Sequence, residues 1–211
     1  MNRNIFLGFT TILIVASILN IRPVKAQKFE GGVMAGLCAS QVAGDKLSGY
    51  NKAGIFAGTY VALHLNDRTA LRLELDYIQK GSRHNADSSK NNLNSYIIRL
   101  GYVEMPFILQ VRYGKKIIAE VGPAMSFLLH SYEAINKGEI FNDVQYGFKK
   151  QNLSIIAGVS YAVNERVSVG LRTNNSLNSI RVNKKVDGYR QRFGTFGQFN
   201  DVLLFNLSYK L

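Results

Sequence analysis

Few residues in this chain stand at spacings that could support catalysis. The three histidines are His64, His84 and His130. His130 precedes Ser131 and Tyr132, and a Ser–His pair near a membrane edge is what a lipid A-modifying hydrolase or acyltransferase would use. Adjacent residues on a strand point to opposite faces, however, so His130 and Ser131 should diverge. His64 and His84 stand at no spacing that suggests a triad with either. Cys38 is the only cysteine, so it has no disulfide partner in the chain, and it reads as a small core residue. Three scattered His and one Cys show no metal-ligand spacing. The residues point to no enzyme, no cofactor and no metal.

The richer chemistry is charge at alternate positions. Arg72, Glu74 and Asp76 alternate with Leu71, Leu73, Leu75 and Tyr77. Glu104, Gln110 and Arg112 alternate with Val103, Met105, Phe107, Leu109 and Val111, and Glu120 falls among Val121, Met125 and Phe127. Only a period of two separates these sets, which is the signature of a strand with one apolar and one polar face. Arg172 and Lys210 extend the polar set near the C-terminus. Arg72, Glu74, Asp76, Glu104, Arg112, Glu120, Arg172 and Lys210 thus form one group of four basic and four acidic residues. Charges of both signs can pair across a narrow interior, and a buried charge is tolerated only when paired.

The elements needed to position that group are strands near 28–38, 53–65, 69–80, 95–112, 116–129, 151–163, 167–180 and 200–211. Asn66-Asp67-Arg68, Tyr113-Gly114-Lys115 and Asn164-Glu165-Arg166 read as tight turns. Residues 39–52, 81–94, 130–150 and 181–199 read as long polar loops. Alternation alone does not say which face is inside, because a soluble barrel would bury the bulky one. The small face is rich in Gly, Ala and Ser, its charges have both signs, and the chain ends on an aromatic-containing strand at Tyr209. These features place the apolar face against lipid. The expected fold is all-β, an eight-stranded antiparallel up-and-down transmembrane barrel with a closed polar core, both termini on the turn side and the long loops outside. Pro106 removes one ladder donor, so a bulge or bend is expected there.

The N-terminus predicts export. Asn2-Arg3-Asn4 is a short basic start, Ile5 to Leu19 is mostly apolar, and Val24-Lys25-Ala26 reads as a cleavage site. Residues 1–26 are therefore expected to be a signal peptide and 27–211 the barrel. The net charge is +12, and removal of Arg3, Arg22 and Lys25 with no acid leaves +9. The basic residues form no nucleic-acid recognition motif. In the fourth loop Arg181, Lys184, Lys185, Arg190 and Arg192 stand against Asp187, a set that could meet lipopolysaccharide phosphates or simply be solvated. Phe193, Phe196 and Phe199 follow, interleaved with glycines.

Several segments carry a resemblance. They are Gly31-Gly32-Val33-Met34-Ala35-Gly36-Leu37, Leu71 to Gly81, Gly122-Pro123-Ala124, Ala157-Gly158-Val159 and, most tellingly, Tyr102-Val103-Glu104-Met105-Pro106-Phe107 with its Glu two residues before Pro. Across 28–211 the chain resembles the PorT-like outer-membrane β-barrels of Bacteroidetes. It differs from their pattern at Arg172-Thr173-Asn174-Asn175 and at Leu211. The resemblance implies a bacterial outer-membrane location and a link to a secretion or envelope-assembly system. The expected role is structural or interactive, with outer-membrane lipid, lipopolysaccharide and other envelope proteins as partners, and a monomeric barrel. A narrow pore or small-ligand-binding barrel is the alternative reading, and a lipid A-modifying enzyme a more distant one.

Overall fold

Bulky apolar residues at every second position, with few prolines between them, leave each segment one stable way to pair: as a long antiparallel strand. The computed structural model describes residues 28–45, 49–85, 95–135, 138–139, 147–181 and 190–211. The expected signal peptide lies outside the described residues. Eight long strands are present among them: β1 (Lys28–Ala43), β2 (Lys52–His64), β3 (Thr69–His84), β4 (Tyr96–Tyr113), β5 (Ile117–Ile135), β6 (Gln151–Ala162), β7 (Val167–Ser176) and β8 (Phe199–Lys210). Each pairs antiparallel with its chain neighbour where the register is continuous, from Lys28↔His64 between β1 and β2 to Tyr209↔Val167 between β8 and β7. The first and last strands also pair, from Gly32↔Lys210 to Ala43↔Phe199, and this closes the barrel. A two-residue strand, Gly138–Glu139, folds back on the end of β5, and a small hairpin, Arg190–Arg192 with Thr195–Gly197, precedes β8.

The tight turns have local causes. Asn66 Oδ1 accepts the backbone N–H groups of Arg68 and Thr69 at 2.9 and 2.8 Å. Asn164 Oδ1 does the same for Arg166 and Val167 at 2.9 and 2.8 Å. These are Asx turns, in which the side chain replaces a missing backbone partner. Gly114 completes the third turn with φ of 62°, a conformation that disfavours a Cβ.

On the loop side β1, β3 and β5 run further than the alternation suggested, to Ala43, His84 and Ile135, whereas β7 stops at Ser176 rather than near 180. β4 has 18 residues, or about 60 Å along the strand. At a tilt of roughly 40° that is about 45 Å of height, well over the thickness of a bilayer core. The barrel therefore projects beyond the apolar band. Around Pro106 the register keeps its offset, with Pro106 opposite Ala124, but the ladder is interrupted there, between Leu73↔Phe107 and Asp76↔Glu104 and between Pro106↔Ala124 and Leu109↔Val121. The shift between β4 and β5 lies at Gly101/Tyr102 instead, so the expected bulge is displaced toward the loop side.

Outward positions carry exposed apolar side chains all round the wall, among them Val33, Leu73, Leu75, Met105, Phe107, Val121, Leu153, Leu171, Phe205 and Leu207. A continuous apolar belt of this kind suits contact with lipid and not with water. The interior is less uniform than a closed polar core. Its loop-side half holds an apolar cluster that includes Val42, Phe56, Ile78, Ile98, Leu100, Tyr102, Ile180 and Val202. The reason is visible along β3 and β4. Where the outward residues change from Leu73 and Phe107 to Gln79, Arg83 and Arg99, the inward residues change from Glu74 and Glu104 to Ile78, Tyr102, Leu100 and Ile98. Above the lipid band the wall has water outside, so it buries its apolar face inward as a soluble barrel does.

Candidate functional site

The polar half of the lumen is organised by a few side chains on facing strands. β3 and β7 lie opposite one another in the closed barrel. Arg172 of β7 crosses the interior and grips Glu74 of β3 with both terminal nitrogens, Nη1 to Oε2 at 2.8 Å and Nη2 to Oε1 at 2.9 Å. Its Nε donates to Glu120 Oε2 of β5 at 2.6 Å. Gly158, next to Arg172 on β6, leaves the room that the arginine stem occupies. Bidentate arginine–carboxylate contacts are the strong class of hydrogen bond. Glu120 also accepts from Gln110 Nε2 at 2.8 Å. Arg72 Nε lies 2.9 Å from Glu74 Oε1, and its guanidinium stacks 3.6 Å above the Tyr60 ring.

A second layer lies on the loop side of the first. Lys80 Nζ donates to Glu104 Oε1 at 2.7 Å and to Asn174 Oδ1 at 3.1 Å. Asn174 Nδ2 in turn donates to Glu104 Oε2 at 2.8 Å, and Ser126 Oγ bonds the same carboxylate. Glu104 of β4 is thereby tied to β3, β5 and β7. Asp76 pairs in register with Glu104 and sits where Gly58 leaves space.

Of the eight charges singled out in the sequence, Arg72, Glu74, Asp76, Glu104, Glu120 and Arg172 are all buried in this lumen. Arg112 and Lys210 stand apart from them at the turn-side rim. Arg112 Nη1 donates to the Lys115 carbonyl at 3.3 Å, and Lys210 bridges to Glu30 at 2.8 Å, which also meets His64 at 3.2 Å. Lys80 belongs to the network and sequence reasoning missed it, although it shares the parity of Arg72, Glu74 and Asp76. Two more ion pairs close the loop side. Arg181 reaches Glu133 at 2.6 Å and Gln198 at 2.7 Å, and Arg192 reaches Asp201 at 2.8 and 3.1 Å. These two cations of the fourth loop are therefore engaged with the barrel itself. Lys184, Lys185 and Asp187 lie outside the described residues.

The histidines are dispersed. His64 is on the turn side, while His84 and His130 are on the loop side. His130 pairs with outward-facing Gly101 and Ser131 with inward-facing Leu100, so the two leave β5 on opposite faces. Cys38 is buried and its thiol donates to the Gln79 carbonyl at 3.1 Å. Among the described residues no cluster of three or more His, Cys, Asp or Glu is placed to hold a metal ion.

Known proteins supply the context for this architecture. The Neisserial surface protein A is similar in fold, with a TM-score of 0.54 and 16% identity over 86% of this chain and 97% of that one. The attachment invasion locus protein Ail of Yersinia pestis aligns over 87% of this chain and 99% of its own, at 10% identity and a TM-score of 0.47. No curated protein is matched by the sequence. Residues 25–181 match the family described as outer membrane protein beta-barrel domain. A closed eight-stranded barrel with an apolar belt and a paired polar lumen, matched over most of its length by that description, belongs to the outer membrane protein beta-barrel domain family and is an outer-membrane protein.

Proposed function

We propose that the protein is a sealed outer-membrane barrel that acts through its loop side, as a structural or interaction component of the envelope and not as a channel or an enzyme. The observation that carries this reading is Arg172, which spans the lumen from β7 to Glu74 on β3 and Glu120 on β5. An eight-stranded interior is only wide enough for side chains, and a guanidinium stretched across it favours a plug over an aqueous path. Lys80, Glu104 and Asn174 form a second barrier above it. The apolar cluster forms a third. Three successive obstacles of different chemistry favour permanent closure over a gate that one ligand could open.

The same reading assigns the N-terminal segment to a cleaved signal peptide and the chain to the PorT-like branch of Bacteroidetes barrels, with attachment to a secretion or envelope-assembly system. The Glu104-Met105-Pro106 segment supports the branch, because Glu104 is the hub of the second layer. The barrel acts as a monomer embedded in outer-membrane lipid and lipopolysaccharide, with its partners on the outside.

Photo-crosslinking in the native envelope tests this function. A crosslinking side chain replaces Tyr50 or Phe193 on the loop side, or Tyr113 on the turn side. The expected result is a discrete crosslinked envelope protein from Tyr50 or Phe193 and none from Tyr113. Crosslinks from Tyr113 alone, or from none of the three, would overturn it.

A further inference from the structure

Ladder pairing between β2 and β3 stops short of the strand ends on the loop side. The ladder between β2 and β3 ends at Phe56↔Ile78, although β2 continues to Lys52 and β3 to His84. Over that stretch β2 stays paired with β1 as far as Ser40↔Lys52, and β3 stays paired with β4 as far as His84↔Tyr96. Over this stretch the two strands stay close without ladder pairing, Gly54 against the Gln79 carbonyl and the Lys52 side chain beside Gly81. Beside it is a cavity of about 530 Å³ whose lining includes Lys52, Gln79, Arg83, Arg99, His130 and Tyr132 and, among the described residues, no carboxylate. A second cavity of about 360 Å³ adjoins it and shares Arg83, Arg99 and Tyr132.

Among the described residues, Arg83 and Arg99 contact neutral groups. Arg83 and Arg99 are diagonal neighbours on the outward face, since Arg83 pairs with Ile97 and Arg99 with Gly81. Diagonal neighbours on one face are within reach of each other's long side chains, so two guanidinium groups there repel. Arg83 Nε donates to Asn85 Oδ1 at 2.8 Å, and Arg99 lies 5.7 Å from the centre of the Tyr132 ring. Lys52 is only 6% exposed, and its side chain passes beside Gly81 of β3. Lys52, Arg83 and Arg99 line one cavity, and cations gathered there with no carboxylate among the described lining residues favour an anion.

The position of the cavity identifies the anion. It lies where the outward face of β3 and β4 changes from apolar to Gln79, Arg83 and Arg99, which is the level of the headgroup layer at the rim of the lipid belt. We propose that the cavity beside the loop-side ends of β2, β3 and β4 binds the phosphate monoester of a phosphorylated outer-leaflet lipid of the lipid A type, with Lys52, Arg83 and Arg99 as its ligands. The proposal rests on the loop-side-out membrane reading given above. Arginine supplies paired N–H donors to phosphate oxygens, and lysine a point charge beneath them. The acyl chains then run down the outward apolar residues of β3, β4 and β5. Because Arg83 and Arg99 border both cavities, two phosphates on one headgroup can be held side by side.

The test uses the full chain refolded in neutral detergent micelles and doped with bisphosphorylated lipid A, with retained lipid counted by native mass spectrometry. The wild type is expected to retain one lipid per barrel. R83Q/R99Q and K52Q should each weaken retention by about tenfold or more, since each removes charge-assisted contacts. R166Q, on the turn side, should bind as the wild type does. Dephosphorylated lipid A should be retained at least about tenfold more weakly, and inorganic phosphate at equal concentration should not compete. Equal retention by R83Q/R99Q, or equal retention of the dephosphorylated lipid, would overturn the site. Effective competition by inorganic phosphate would overturn the assignment to a lipid. Heat-modifiable gel mobility, run on every variant, separates the failures: a chain that does not insert as a folded barrel refutes the membrane reading, whereas one that inserts and retains no lipid refutes only this site.

Discussion

Replacing Arg172 by Met keeps the length and much of the volume of the side chain while removing a group that joins β7 to both β3 and β5 through charge. Arg172 is 1% exposed and makes three bonds to two carboxylates, at 2.6, 2.8 and 2.9 Å. Its loss strands two buried anions. Glu74 keeps Arg72 at 2.9 Å and Glu120 keeps Gln110 at 2.8 Å, so neither is left wholly bare. Breaking one partner of a buried pair destabilises by roughly 3–5 kcal/mol, and these residual contacts hold the R172M loss to about that range in spite of the second carboxylate. Urea unfolding of the barrel in phospholipid vesicles, followed by heat-modifiable gel mobility, measures it. The quadruple variant R72M/E74Q/E120Q/R172M removes the stranded anions together with Arg72, the partner of Glu74, and should recover most of the loss, because a neutral set of similar shape has no desolvated ion to support. An R172M barrel within about 1 kcal/mol of the wild type, or a quadruple variant less stable than R172M, would refute the reasoning that these charges are buried and mutually dependent.

Leu73 and Phe107 are paired across β3 and β4 and are 51% and 50% exposed on the outward wall. Leu73→Arg or Phe107→Arg should cost roughly 2–4 kcal/mol near the midplane and impair insertion, while Leu73→Phe should be mild; unfolding in vesicles reads both. Trypsin added to intact cells should cut in the β1–β2, β3–β4, β5–β6 and β7–β8 connections and spare Arg68 and Arg166 in the Asx turns, as mass spectrometry of the released peptides would show. Gly36→Ala should lower the yield of folded barrel, because a Cβ at Gly36 would stand 2.2 Å from the Phe205 carbonyl oxygen across the seam that closes the cylinder. The folded fraction on a heat-modifiable gel checks this.

The fold was legible because each strand repeats one rule. Leu71 to Tyr77 shows it most plainly, and the Asn-led turns before Thr69 and Val167 are where the side-chain chemistry of Asn66 and Asn164 puts them. The lumen was partly legible. Arg72, Glu74, Asp76, Glu104, Glu120 and Arg172 share one parity and meet inside, but parity carries no height along the barrel. Arg112 and Lys210 have the inward parity and still end at the rim, one beside a turn and the other at the last paired residue. Lys80 was passed over although its parity fits, because it stands at the loop-side end of β3 beyond Ile78 and Gln79. The apolar half of the interior could not be read from alternation, since the exchange of faces between Phe107 and Arg99 depends on where lipid ends. Arg181 with Glu133 and Arg192 with Asp201 join residues whose approach is set by the loops and not by strand period. At Pro106 the local rule named a bulge, but Pro106 keeps its register and the irregularity falls at Gly101/Tyr102.

Single-channel recording of the purified full chain in planar bilayers tests the sealed lumen most directly. With Arg172 across the interior and Lys80, Glu104 and Asn174 above it, the wild-type barrel should insert, as judged by its gel mobility after reconstitution, and pass no steady current above that of the bare bilayer. A steady, charge-selective current from the wild type would contradict closure and make the same charged residues the lining of a pore.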